Sequence, residues 1–322
     1  MPLIRKSSYP RPPRYQFNGH LQTVLPAILR RVHTAYERER ITLEDGDFLD
    51  LDWLAGGSEQ LVLLSHGLEG NSTRHYMMGM ANLFFDQGWD VLAWNCRSCS
   101  GEMNRQFRLY NHGEIGDIGA VINHALRTKP YQRVLLIGFS MGGSILMKYL
   151  GVNGKAAPGP IIGGIAFSSP CDLEASVNAL ELPGNSFYKR RFFKSLSKKV
   201  EAKAALFPGR LDPGKLKEVG HWRDFDNYFS APLSGYADAD DFYRRASAKH
   251  YMGGTDRPIL LVNAENDPIL PPACSPVSLC ATHPRLFLER PRQGGHVGFS
   301  LPRKPYAWSE YRALEFARTL LN

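Results

Sequence analysis

The amino-acid sequence predicts an α/β fold with a mostly parallel central sheet and helices on both faces. Short apolar segments typical of buried strands alternate with segments whose apolar residues recur at helical spacing. Residues 133–144 are the most informative segment, because four apolar residues lead through a serine between glycines into an apolar helix. With 322 residues, the chain can bury the core of one large α/β domain together with an insertion.

The predicted elements follow one another in a regular order. An antiparallel hairpin is expected first, because two segments, 41–43 and 48–53, flank the turn-forming sequence Glu44-Asp-Gly-Asp47. Strands and helices then alternate, which predicts parallel strands joined by helical crossovers. The predicted strands are residues 61–64, 90–94, 134–137 and 161–167, and the predicted helices are residues 76–87, 115–127 and 145–150.

The alternation stops after Asp172, and this change divides the chain. Residues 173–250 contain no clear strand and are rich in basic and aromatic residues, so we expect a helical cap inserted into the core. Beyond the cap, strands are predicted at 258–263 and 285–289, with helices near 271–280 and at 306–321. The expected organisation is an N-terminal extension packing on the core (1–38), a first core part (39–172), the cap (173–250) and a second core part (251–322).

Composition argues against several classes of protein. No apolar segment approaches the roughly 18 residues that a membrane-spanning helix needs. The proline-rich N-terminus lacks the apolar stretch of a signal peptide. Five cysteines at irregular spacing favour a reducing compartment, so we expect a cytoplasmic location. A C-x-x-C sequence at residues 96–99 has no further ligands at supporting spacing, and we expect neither a metal nor a cofactor.

Much of the net charge of +8 lies between Lys189 and Lys203, within the predicted cap. Between Lys189 and Lys203, basic residues surround apolar ones at helical spacing, which predicts a basic amphipathic helix. We expect its apolar face to pack on the protein, and weak contact with a membrane surface is the alternative. The cap aromatic residues from Trp222 to Tyr243 would either wall an acyl-chain pocket or pack within the cap. No nucleic-acid-binding motif accompanies the charge, so we expect no nucleic-acid partner.

Residues 138–142, Gly-Phe-Ser-Met-Gly, form a G-x-S-x-G sequence between a predicted strand and a predicted helix. A serine at such a tight turn has a strained backbone and an exposed hydroxyl, which suits it to act as a nucleophile. Gly138 and Gly142 are expected there because a β-carbon would collide with the neighbouring strand or helix. We predict Ser140 as the catalytic nucleophile and the backbone N–H of Met141 as an oxyanion donor.

A serine nucleophile needs an adjacent base, which is itself oriented by a carboxylate. In this arrangement the acid and then the histidine follow on loops after later strands. Asp267 lies directly after the strand that resumes the core, and His296 lies in a glycine-rich loop after the next strand. We predict Asp267 as the acid, with Glu265 as a nearby alternative, and His296 as the general base.

A second oxyanion donor is expected on the loop after an early strand. The strand 61–64 leads directly into Ser65-His-Gly-Leu68, a His-Gly turn. We predict that the backbone N–H of Leu68 is this donor and that its side chain has no specific role. The alternative is an ordinary turn between a strand and a helix.

Two polar segments beside these residues have two interpretations each. Arg97, Glu102 and Asn104 follow a strand and would lie at the mouth of a site, but such loops are more often held together by their own hydrogen bonds. Glu114 and Asp117 open a helix, where capping and first-turn roles are more common than catalysis. We favour the structural interpretation for both segments.

These motifs together resemble the α/β-hydrolase superfamily, and within it the YheT-like esterase branch. That branch is related to eukaryotic α/β-hydrolase-domain lipases and yeast medium-chain ethyl ester synthase/esterases. The sequence departs from the family pattern at Gly19, where proline is usual, and at Ser98, where glycine is usual. The matching segments extend over nearly the whole chain: 18–23, 66–70, 95–104, 112–114, 138–142, 266–268 and 295–296. The resemblance implies an α/β-hydrolase fold, a triad of Ser140, Asp267 and His296, and Leu68 and Met141 as oxyanion donors.

The residues and the resemblance predict a serine carboxylic-ester hydrolase that needs no cofactor. It would act through an acyl-enzyme on small-molecule esters with short- to medium-chain or lipid-like acyl groups. Two alternatives stay open: an acyltransferase that passes the acyl group to an alcohol, and a non-catalytic protein that binds a lipid or another ligand.

Overall fold

A nine-stranded sheet forms the centre of the computed structural model, which describes residues 3–321. The order across the sheet is β1-β9-β8-β7-β6-β4-β5-β3-β2. The pairs β2–β3 and β3–β5 are antiparallel, and the other neighbouring strands are parallel. The strands are β1 (Leu3–Ile4), β2 (Glu37–Thr42), β3 (Phe48–Leu54), β4 (Gln60–Ser65), β5 (Asp90–Trp94), β6 (Arg133–Phe139), β7 (Ile161–Phe167), β8 (Ile259–Val262) and β9 (Leu286–Glu289).

Helices connect the strands and cover both faces of the sheet. Within residues 3–321, no helix is both long enough and apolar enough to span a membrane. The α-helices are α1 (Gly19–Leu29), α2 (His75–Asp86), α3 (Gly116–Thr128), α4 (Met141–Asn153), α5 (Leu173–Leu180), α6 (Ser186–Leu206), α7 (Trp222–Phe225), α8 (Ala231–Leu233), α9 (Ala239–Ala246), α10 (Val277–Thr282) and α11 (Trp308–Leu321).

The alternation of side chains along each strand builds a core on either face of the sheet. Leu61 and Leu63 of β4 pack in a cluster with α3 and α4, whereas Val62 and Leu64 pack in a second cluster with α2 and α11. Parallel strands that are covered on both faces have continuous apolar runs, and this is the pattern of β4 and β6. The structure confirms the predicted fold class and the predicted hairpin, β2–β3.

The helix after the serine turn differs from the prediction at its N-terminal end. It begins at Met141 and not at Ile145, because the turn leads into helix without a linker. The glycines at 142 and 143, which disfavour a helix by propensity, lie in its first turn. The residues from Met141 to Leu150 are buried between the sheet and neighbouring elements, so tertiary packing outweighs the propensity.

The N-terminal extension contains two elements that the sequence did not predict. Strand β1 pairs with β9 at the edge of the sheet, and α1 is capped by the Asn18 side chain, which accepts a hydrogen bond from the Leu21 N–H. Ser8 accepts a hydrogen bond from the Trp308 indole, so the extension contacts the C-terminal helix. Residues 1 and 2 lie outside the described part of the chain.

Residues between β7 and β8 form helices α5 to α9 around a third apolar cluster, which also includes Leu109 and Ile269 of the core. The basic helix α6 buries Leu196 and Val200 in this cluster, which confirms that its apolar face packs on the protein. Trp222, Phe225 and Phe229 are buried in the same cluster, as ordinary cap packing requires. The domain boundaries at residues 38, 172 and 250 stay a prediction.

Candidate active site

Ser140 lies at the turn between β6 and α4. Its φ of 53° and ψ of −121° are unusual for a residue with a side chain and cost about 1–3 kcal/mol. A β-carbon at Gly142 would lie 2.3 Å from the Ser65 carbonyl oxygen, and one at Gly138 would lie 2.4 Å from the Gly142 carbonyl oxygen. Both glycines are therefore needed for the close approach of α4 to the strands, as the sequence predicted.

The structure brings His296 and Asp267 to this serine. The His296 Nε2 atom lies 2.9 Å from Ser140 Oγ, and His296 Nδ1 lies 2.8 Å from Asp267 Oδ2. The Asp267 carboxylate is buried, and its other oxygen accepts a hydrogen bond from the Ile269 N–H at 3.0 Å. An ionised Asp267 places the imidazole proton on Nδ1, which leaves Nε2 free to accept the serine proton.

The alternative acid, Glu265, lies outside this arrangement. Its carboxylate is 43% exposed and is 3.3 Å from the Arg290 guanidinium. Of the two carboxylates on this loop, Asp267 is the one in contact with His296.

Both predicted oxyanion donors are close to Ser140, since Met141 follows it in the chain and a β-carbon at Gly67, the residue before Leu68, would lie 3.0 Å from Ser140 Cβ. Leu68 lines the same cavity as Ser140 and His296, and Met141 is the first residue of α4. Within residues 3–321, neither backbone N–H donates a hydrogen bond to another group. The N–H groups in the first turn of a helix lack partners within the helix, so Met141 can donate to a bound anion.

His66 holds the turn that contains Leu68. Its Nε2 atom accepts a hydrogen bond from the Cys96 N–H at 3.0 Å, so the imidazole proton lies on Nδ1 and is donated to the Gly67 carbonyl at 2.8 Å. That carbonyl and the Leu68 N–H belong to one planar peptide group, in which they point in opposite directions. Burial lowers the pKa of His66 to about 4, which keeps the ring neutral. In the sequence, His66 is recognisable only as part of the His-Gly turn.

Helix α1 holds the loop that contains His296. The His296 N–H donates to Thr23 Oγ1 at 2.9 Å, and Gln22 Oε1 accepts hydrogen bonds from the Gly294 N–H and the Asn266 amide. These roles of Gln22 and Thr23 are not predictable from the sequence, because more than 270 positions separate the two residues from Gly294 and His296. The one signal that could have identified them is the segment 18–23, which contains both residues and is one of the segments that carry the family resemblance.

The two departures from the family pattern have structural explanations. A β-carbon at Gly19 would lie 2.0 Å from the Asn266 carbonyl oxygen, so glycine permits α1 to approach the loop of Asp267. Ser98 has a φ of +63°, a region that glycine adopts easily, which explains why glycine is usual there. The Ser98 hydroxyl donates to the Asn104 side chain.

The two ambiguous polar segments form a structural network. Arg97 is buried and donates to both carboxylate oxygens of Asp117 at 2.8 and 2.9 Å, and to Asp45 and Asp47 at 2.7 Å each. Asn104 is also buried and donates to Asp47. These contacts confirm the structural interpretation and assign Asp117 to an ion pair.

A cavity of about 420 Å³ opens onto Ser140 and His296. Helix α1, the turn at 67–70, the start of α2 and helix α6 surround it. The apolar part of the lining includes Val24, Ala27, Val32, Leu68, Met78, Phe187, Phe192, Ile269 and Val297, and the cationic part consists of Arg30, Arg31, Arg74 and Arg191. The cap contributes its aromatic residues from α6 rather than from the segment that begins at Trp222.

The cysteines are not grouped as metal ligands in the part of the chain that the structure describes. All five are free and buried. Burial raises the pKa of Cys96 well above its usual value, so the thiol is protonated. Within the described residues 3–321, no three His, Cys, Asp or Glu side chains are grouped so as to hold a metal ion.

A serine turn after a central parallel strand, followed by an aspartate and a histidine on later loops, is the arrangement of α/β hydrolases. Residues 60–301 match the family described as alpha/beta hydrolase fold. YheT of Escherichia coli, which carries an esterase assignment, is 32% identical over 314 residues that cover 95% of this chain and 92% of that protein. The chain therefore belongs to the α/β-hydrolase family, in the branch that contains YheT.

More distant relatives include named lipases. Phospholipase ABHD3 of Homo sapiens is 28% identical over 309 residues, which cover 92% of this chain and 75% of that protein. The monoacylglycerol lipase of Saccharomyces cerevisiae is 26% identical over 296 residues, with coverage of 89% and 63%. The solved structure of the Pyrococcus furiosus esterase Pf2001 has a TM-score of 0.59 and 18% identity, and covers 90% of this chain and 98% of that chain. The likeness to this structure shows the fold alone.

Proposed function

We propose that this protein is a serine carboxylic-ester hydrolase that acts through an acyl-enzyme. The observation that supports this most strongly is the chain of contacts from Ser140 through His296 to Asp267, with distances of 2.9 and 2.8 Å, beside a cavity that Ser140 and His296 line. The esterase and lipase names of the relatives support the same reaction class.

In the first half of the reaction, Ser140 Oγ attacks the ester carbonyl carbon while His296 Nε2 accepts the hydroxyl proton. The N–H groups of Leu68 and Met141 stabilise the oxyanion. His296 then gives its proton to the leaving alcohol as the carbon–oxygen bond breaks, and the acyl group stays on Ser140.

In the second half, a water molecule attacks the acyl carbon, and His296 accepts one of its protons. The bond to Ser140 Oγ breaks, the serine regains its proton from His296, and the carboxylic acid leaves. Asp267 stabilises the imidazolium in both halves without accepting its proton.

The substrate class that we propose is an ester with a short- to medium-chain or lipid-like acyl group. The apolar side chains from α1, α2 and α6 line the cavity next to Ser140 and would contact an acyl chain. The relatives named phospholipase and monoacylglycerol lipase support lipid-like esters as a class.

Hydrolysis of a p-nitrophenyl ester series, from acetyl to palmitoyl, tests this proposal. Ser140→Ala is expected to lower kcat by about 10³-fold or more, whereas Ser144→Ala on the same helix is expected to retain it. Ser144 is a suitable control because it is buried and its hydroxyl has no hydrogen-bond partner within residues 3–321. Equal hydrolysis by wild type and Ser140→Ala would contradict the proposal. The same assay with ethanol present distinguishes a hydrolase from an acyltransferase by its products.

Cytoplasmic location and weak membrane contact stay predictions. Contact with a membrane surface is supported by Phe187, Arg190, Arg191 and Lys194, which are exposed near the start of α6. Aromatic and basic side chains on one exposed face favour anionic interfaces. Co-sedimentation with anionic but not with zwitterionic vesicles is the expected result, and equal recovery with both would contradict it.

A further inference from the structure

A buried ion pair joins cap helix α6 to the oxyanion turn, which we define as residues 66–70. Lys199 Nζ lies 2.7 Å from Glu69 Oε1, and the two side chains are only 13% and 9% exposed. Ser195 precedes Lys199 by one helical turn and donates to the other Glu69 oxygen. Residues at this spacing share one face of a helix, so α6 presents both groups to Glu69.

Glu69 follows the predicted donor Leu68, and each of its polar groups has a partner. Its φ of +55° is unusual for a residue with a side chain. Its N–H donates to the Tyr110 hydroxyl at 3.0 Å, and that hydroxyl donates to the Glu69 carboxylate. Its carbonyl accepts a hydrogen bond from Arg74 at 2.7 Å. These contacts restrain the peptide groups next to the Leu68 N–H.

Lys199 is the cation that pairs with the Glu69 carboxylate. Burial by itself would raise the pKa of Glu69, but the charge and hydrogen bond of Lys199, together with the hydroxyls of Ser195 and Tyr110, lower it below its usual value. If α6 moved away, Glu69 would lose Lys199 and Ser195 together and keep Tyr110. A buried carboxylate without its cation is strongly destabilised, so the turn would rearrange.

Helix α6 also covers the cavity. Phe187, Phe192 and Ser195 of α6 line it together with Ser140. Moving α6 would therefore widen the cavity and release Glu69 in the same step.

We propose that Glu69 is a positioning residue for the Leu68 N–H, and that Lys199 makes this position depend on the docking of α6. The oxyanion hole is then complete only when the cap is closed over the cavity. The inference concerns the oxyanion turn and rests on the proposed function for its effect on catalysis.

The test compares Lys199→Met with Lys189→Met. Lys189 lies on the same helix and pairs with Glu181 at 2.7 Å, with side-chain exposures of 19% and 25%, and this pair is outside the oxyanion turn. Lys199→Met is expected to lower kcat by about tenfold or more with little change in KM, because loss of a whole oxyanion donor costs about 10²–10³. Lys199→Arg is expected to restore most of kcat, and Lys189→Met is expected to stay within about twofold of wild type.

Hydrogen exchange of residues 66–70 provides a readout that needs no substrate. Faster exchange of this turn in Lys199→Met, but not in Lys189→Met, is the expected result. Equal exchange and equal kcat in the two variants would overturn the inference. If wild type and Ser140→Ala hydrolyse esters equally, the proposed function fails, and the exchange comparison still decides whether α6 controls the turn.

Discussion

Replacing Arg97 by methionine removes the cation at the centre of a buried acidic cluster. Asp47 and Asp117 are almost fully buried, and Arg97 donates to both. Asp47 keeps hydrogen bonds from Asn104 and from the Arg105 N–H, which do not neutralise its charge. The substitution therefore leaves two carboxylates buried without their counter-ion.

The expected loss of stability is about 3–5 kcal/mol, the range measured when one partner of a buried pair is removed. For 322 residues, the entropy of unfolding is about 0.7 kcal/mol/K, which converts this loss into a fall in Tm of about 4–7 °C. Arg223→Met is the matched control, because Arg223 is 38% exposed and also pairs with two carboxylates, Glu174 and Asp240. That change is expected to cost at most about 1 kcal/mol, or less than about 2 °C.

Thermal and urea unfolding of the two variants provide the measurement. Arg97 does not line the cavity, so the folded Arg97→Met protein is expected to keep the wild-type KM. A Tm for Arg97→Met equal to that of Arg223→Met would refute the assignment of Arg97 to a buried ionic network. A raised KM with an unchanged Tm would instead favour a role at the mouth of the site.

Two further predictions concern the serine turn and acid stability. Gly142→Ala places a β-carbon 2.3 Å from the Ser65 carbonyl oxygen, so we expect a loss of about 1–3 kcal/mol and a lower kcat. Gly184→Ala, where no atom lies within 4 Å of the added carbon, should change neither quantity, and similar values for both variants would contradict the steric argument. Burial lowers the pKa of His112 to about 4. Between pH 6.5 and 4 the unfolded chain therefore binds a proton at this histidine that the folded protein does not bind, so the free energy of unfolding decreases as the pH is lowered. At pH 5 this loss of stability is about 2 kcal/mol. When the pH is lowered from 7 to 5, the His112→Gln variant is therefore expected to lose about 2 kcal/mol less stability than the wild type, as measured by urea unfolding. An equal pH dependence of the two proteins would contradict this assignment.

Much of the candidate site was predictable because its signals are local. Gly138 and Gly142 were expected beside Ser140 because a β-carbon at either position would collide with neighbouring backbone, and the structure confirms these collisions. Asp267 and His296 could be selected because the carboxyl ends of parallel strands meet at one edge of the sheet. The catalytic roles of these residues stay a proposal until the variants are measured.

Other parts of the site were not predictable because they depend on contacts between distant segments. The sequence offers no local reason for Thr23 to bind the His296 loop or for Lys199 to pair with Glu69. His66 illustrates the same limit, since its tautomer depends on the N–H of Cys96, 30 positions later. The cap aromatic residues had two equivalent interpretations until packing assigned them to the apolar cluster of the cap.

By itself, the sequence determined the fold class and the order of the strands from β2 to β9, and it predicted that Asp267 and His296 lie beside Ser140. These follow from apolar periodicity and turn chemistry, which act over a few residues. The tertiary structure alone decided which charges are buried, how α1 supports the His296 loop, and which residues of α6 line the cavity. The physical reason is that burial and ion pairing depend on the distance between atoms in space, and residues far apart in the chain approach one another only after the elements pack.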